Sequence, residues 1–90
     1  MMPALPVLSG REVVAALSRD GWHLARQRGS HMVLVKEGRI ATLSVPDHRE
    51  VARGTLRSLI RHSGLTVDAF LALTKGQPRN TRNTRTKRDG

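Results

Sequence analysis

Residues 22–46 read WHLARQRGSHMVLVKEGRIATLSVP, and this stretch decides the fold. Apolar and β-branched residues gather in three runs, and each gap between runs holds a glycine. Trp22 to Gln27 reads as a first strand, which Arg28-Gly29-Ser30 turns into a second, His31 to Lys36. Glu37-Gly38 then turns the chain into a third, Arg39 to Val45. Pro46 ends that strand, because proline has no N–H to give to a ladder. Three short strands joined by tight turns predict an antiparallel meander.

Helical signals lie on both sides of it. Ser9 and Glu12 have the S-x-x-E spacing of a capping box, and Val13, Val14, Ala16 and Leu17 follow at helical period. The expected helix runs from about Gly10 to about Asp20, with Gly21 as its left-handed exit. Beyond Pro46, Asp47 to Arg53 reads as a polar loop, and Thr55 is placed to cap a second helix. Leu56, Leu59 and Ile60 share one face of that helix, Arg57 and Arg61 a neighbouring solvated stripe, and Gly64 ends it. Thr66 then caps a short helix, Val67 to Leu73, whose Phe70 and Leu73 are expected to fold back on the core. The order α-β-β-β-α, with this helical appendage, predicts an α+β two-layer sandwich with a three-stranded antiparallel sheet. Such an order resembles the double-stranded-RNA-binding topology.

Ninety residues make one domain with a thin core. The chain has no cysteine, which excludes disulfides, thiolate chemistry and cysteine zinc sites. Met1 to Leu8 carries no basic residue and is broken by Pro3 and Pro6, so it does not read as a signal peptide. No apolar run approaches the roughly 20 residues of a membrane span. The expectation is a soluble, cytoplasmic protein with no membrane partner.

Charge points to a polyanion. Sixteen Lys and Arg against seven Asp and Glu give +9. From Lys75 to Gly90 six basic residues face one acidic, for +5, so residues 1–74 retain +4. We therefore divide the chain into a domain, residues 1–74, and a basic tail, residues 75–90, too poor in apolar residues to offset its ordering entropy. The tail reads equally as an electrostatic arm for phosphates and as a solvating extension.

Among side chains able to do chemistry, His31 comes first, after two small residues that let the backbone turn and a ligand approach. An imidazole there is placed to act as acid or base on an RNA 2′-hydroxyl or leaving oxygen. Spacing alone favours the plainer reading of a surface histidine at a strand start. Its direction is open, since Val33 and Val35 on one face and Met32 and Leu34 on the other are all apolar. His48 follows a strand end and reads as an exposed loop residue. His23 is expected opposite the core, and His62 in the last turn of a helix, where a cation suits the dipole; both read as structural. Trp22 reads as core rather than as a base-stacking platform. Arg26 and Arg28 flank the turn, and Arg53 and Arg57 lie at a helix start that welcomes phosphate, with Arg61 beyond. No histidine pair has ligand spacing and no carboxylate cluster occurs, so no metal or other cofactor is expected.

Ser9-Gly10-Arg11-Glu12-Val13-Val14, Asp20-Gly21-Trp22, Gln27-Arg28-Gly29-Ser30-His31, Val45-Pro46 with His48, Gly54-Thr55-Leu56-Arg57 and Ser63-Gly64-Leu65-Thr66 occur in that order. Together, over about Leu8 to Leu73, they resemble the HicA toxin family. The resemblance implies an mRNA interferase of a type II toxin–antitoxin system. It implies that His31 is needed for cleavage, and His48 matches a histidine often found after the third-strand proline in that family. Arg26, Arg28, Arg53 and Arg57, by their places beside the turn and at the helix start, are the candidates to meet RNA, together with Gly29, Ser30 and His48. The resemblance also implies a HicB antitoxin that covers the site and carries operator binding, so direct operator DNA binding by this chain is not expected. The tail from Lys75 is additional to the family pattern. A non-catalytic RNA-binding module, and a subunit whose basic surface meets an acidic antitoxin, are the competing readings.

Overall fold

A computed structural model describes residues 5–75. Apart from Lys75, the expected basic tail therefore lies outside the described residues. The elements are α1 (Gly10–Ser18), β1 (Trp22–Arg28), β2 (His31–Lys36), β3 (Leu43–Pro46), α2 (Arg53–Ser63) and α3 (Val67–Thr74). The strands form one antiparallel sheet in the order β1-β2-β3. The expected α+β sandwich is thus observed, with α1 and α2 packed on the sheet and α3 against α1 and α2.

The capping box forms as the spacing predicts. Ser9 Oγ accepts from Glu12 N at 3.1 Å, and Glu12 Oε1 accepts from Ser9 N at 2.8 Å. Gly10 opens α1 against the end of β3, where a Cβ would overlap the Pro46 carbonyl. Its N–H donates to His48 O at 2.8 Å. The helix ends at Ser18, two residues early, because Arg19, Asp20 and Gly21 close onto the carbonyls three residues back. Gly21 then takes φ +100° and releases the chain into β1.

Burial alternates along β2. Met32 and Leu34 are buried with Trp22, Leu43 and Val45, each large side chain contributing about 1.5–3 kcal/mol of burial. His31 and Val33 therefore point to the opposite, open face. β1 does not keep a strict period. Its pairing slips between Leu24, opposite Leu34, and Arg26, opposite Val33, so Ala25 is an extra residue.

β3 is shorter than expected. Residues 39–42 leave the ladder because Arg39 is held elsewhere. Its Nη2 donates to His62 O at 3.1 Å and its Nη1 to Ser63 O at 3.4 Å, and the guanidinium lies 5.8 Å from the centre of the Trp22 ring. These are last-turn carbonyls of α2, so Arg39 caps that helix. Pro46 is the last residue of β3 and pairs with His31.

α2 also departs from expectation. Thr55 does not cap it; the helix begins at Arg53 with Ala52 at the cap position and no side-chain cap bond. Val51 is buried, its N–H on Leu8 O at 2.8 Å, and Leu56 N already bonds Ala52 O. This anchor starts the helix before Thr55 is reached. Leu56, Leu59 and Ile60 face the core and Arg57 and Arg61 are exposed, as the pattern predicts. Gly64, at φ +85°, ends α2, and Thr66 Oγ1 caps α3 through Ala69 N at 3.0 Å. Phe70 and Leu73 are fully buried.

Candidate functional site

The open face of the sheet carries the candidate site. Arg28 pairs with His31 and Arg26 with Val33, and paired residues share a face, so both arginines lie on the His31 side. Strict alternation counted from buried Trp22 would put Arg26 and Arg28 on the core side. The extra residue at Ala25 reverses that parity.

Arg26, Arg28, Gly29, His31 and Val33 line a shallow depression of about 700 Å³, completed by Ser44 of β3 and by Thr42 just before it. Its lining holds two guanidiniums and an imidazole and no carboxylate. Such a surface attracts phosphate and offers the planar fork that matches its oxygens. His31 is exposed, as general acid–base work on an incoming ligand requires.

The turn that presents His31 is braced from the other face. Gly29 takes φ +58°. Gln27 Nε2 donates to Gly29 O at 3.2 Å and to Asp47 Oδ2 at 3.3 Å, while Asp47 N donates to Ser30 O. Asp47 also accepts from Arg11 Nε and Nη2, both at 3.3 Å. Arg11 is largely exposed, so this ion pair contributes little by itself. Its effect is geometric, since it ties α1 to the loop that holds the turn.

Other residues singled out in the sequence are more scattered. His48 is exposed, next to Asp47, but its side chain does not line the depression. Arg53 is exposed at the start of α2 and does not line it either. Arg57 belongs to a separate depression with Ile60, Arg61, Leu65, Thr66 and Val67. Successive helix residues turn by about 100°, so the stripe facing β3 contains Gly54, Ser58 and His62, not Arg57. His23 lies on the His31 face by register, opposite Val35. His62 is exposed, with Nδ1 3.3 Å from Ser58 Oγ. Trp22 is core, as expected, and its Nε1 has no hydrogen-bond partner among the described residues.

Sequence reading missed Thr42 and Ser44 as walls, and Gln27 and Asp47 as braces. Only the register, Ser44 opposite Val33, would have found the walls. Among the described residues no three His, Asp or Glu side chains gather to hold a metal ion. None of their helices is long and apolar enough to cross a membrane.

No curated protein matches the chain. The family model described as HicA toxin of bacterial toxin-antitoxin matches residues 10–65, from the first residue of α1 to just past α2. The match takes in both strands that present Arg26, Arg28 and His31, and the chain belongs to the HicA toxin family of bacterial toxin–antitoxin systems.

Proposed function

We propose that the chain is a metal-independent endoribonuclease that cleaves mRNA, with His31 as its acid–base group, and that a HicB-type antitoxin neutralises it. One observation carries the proposal: the register of β1 gathers Arg26, Arg28 and His31 around one open, carboxylate-free depression. Family membership and the net charge of +9 support it independently.

In this mechanism Arg26 and Arg28 bind the phosphate and offset the charge that grows on its oxygens. His31 removes the 2′-hydroxyl proton, and the 2′-oxygen attacks the adjacent phosphorus. The bond to the 5′-oxygen breaks, and that oxygen takes a proton from water, since no second acid lines the depression. The products carry a 2′,3′-cyclic phosphate and a 5′-hydroxyl. Acid–base help from a single group is worth about 10²–10⁴-fold, so the rate is modest. An mRNA target places the protein in the cytoplasm, and an antitoxin that covers the arginine-rich face would present acidic side chains to it. The tail, residues 75–90, adds sequence-independent attraction for the RNA backbone.

The test uses the purified full chain on RNA, with EDTA present and absent. Wild type is expected to cut in both, to spare a substrate carrying 2′-deoxyribose at the cleavage position, and to lose about 10²–10⁴-fold on His31→Ala. Wild-type cleavage by His31→Ala overturns the assignment. Salt-sensitive RNA binding without cleavage would instead mark a non-catalytic RNA-binding module.

A further inference from the structure

A second groove adjoins the His31 depression. It runs between β3 and α2, has a volume of about 440 Å³, and shares Thr42 and Ser44 with its neighbour. From α2 it receives Gly54, Thr55, Ser58 and His62, over a floor formed by Leu43 and Leu59. The two cavities differ in chemistry. The first has two arginines, and the second has neither a Lys or Arg nor an Asp or Glu in its lining.

A groove with no Lys, Arg, Asp or Glu is a poor place for a phosphate or for an ionised side chain. Hydroxyls and an imidazole suit the polar edges of a heterocycle, because each both donates and accepts. The hydroxyls of Thr42, Ser44 and Thr55 have no side-chain partner among the described residues, and Ser58 is bonded only to His62. Gly54 leaves the mouth open, since a Cβ there would meet nothing within 4 Å. We infer that this groove takes the base of the nucleotide flanking the cleaved phosphate, and that Thr55, Ser58 and His62 set which base is preferred. The inference rests on the ribonuclease reading above. Through Thr42 and Ser44, a strand whose phosphate lies on Arg26 and Arg28 passes directly from the first cavity into the second.

The experiment maps every cleavage site made in a long RNA by the full chain as wild type, Thr55→Val, Ser58→Ala, Ser58→Thr, Gly54→Phe and His31→Ala, with thermal melts confirming that each variant folds. Ser58→Ala and Thr55→Val are expected to keep cutting while the base preference beside the cut relaxes by about tenfold, the worth of one hydrogen bond to a base edge. Ser58→Thr keeps the wild-type pattern, and Gly54→Phe raises KM by filling the groove. Groove variants that cut the wild-type sites with unchanged kcat/KM overturn the inference alone. So does a result in which they weaken only antitoxin binding, which would make the groove a protein-docking surface. Full activity of His31→Ala, or no cleavage by wild type, overturns the ribonuclease reading itself and the inference with it.

Discussion

The two halves of β1 have similar backbones and opposite purposes. From Trp22 to Leu24 the strand supplies Trp22, the largest fully buried side chain, to the core. From Arg26 to Arg28 it supplies two exposed guanidiniums to the proposed site. One residue, Ala25, separates them, and it lies where the pairing slips. The core half is held by burial, which is insensitive to detail beyond size and shape. The site half is held by register, which a single residue reverses.

The harshest way to break this comparison is Trp22→Ala, expected to cost about 3–5 kcal/mol in urea unfolding through the cavity it leaves. Arg26→Ala with Arg28→Ala is its counterpart on the other half. Stability is expected to move by no more than about 0.5 kcal/mol per exposed site, while RNA cleavage falls by about 10–100-fold for each charge-assisted hydrogen bond to phosphate that is removed. A finer pair sharpens the role of register. Deleting Ala25 leaves Leu24 opposite Leu34 and Arg26 opposite Val33, so cleavage is expected to remain within about tenfold of wild type. Deleting Gln27 instead, counted back from Arg28 opposite His31, turns Arg26 toward Met32 and the core, and is expected to lose at least about tenfold more activity. Gln27→Ala is the control that isolates the missing brace on Gly29 and Asp47. Equal activity of the two deletions would show that parity does not position Arg26. The smallest effect is expected from Arg79→Ala, Arg82→Ala and Arg85→Ala together. The slope of log binding constant against log salt should fall by about 0.7 for each phosphate no longer neutralised, with no change in where the RNA is cut.

Much of the architecture was legible from short stretches. The Ser9–Glu12 box, the Thr66 cap and the positive-φ glycines at 21, 29, 38 and 64 stand where local chemistry demands them. These signals span four residues or fewer, and at these positions no distant contact competes with them. Thr55 was misread for the same reason in reverse. Its cap signal was local, but Val51, buried and bonded to Leu8, set the helix start. The length of β3 was likewise decided from afar, by Arg39 reaching the last carbonyls of α2.

The position of His31 after Gly29-Ser30 was fixed by sequence alone, because a tight turn needs small residues and a positive φ, and those are local. The face it occupies was not. Met32 and Leu34 compete with Val33 and Val35 for burial, and both sets are apolar, so the alternation has two nearly equivalent solutions. Packing of α1 and α2 on one side of the sheet chose between them, burying Met32 and Leu34 and sending His31 outward. The slip at Ala25 then brought Arg26 and Arg28 to the same side, a consequence of strand pairing that no single strand contains.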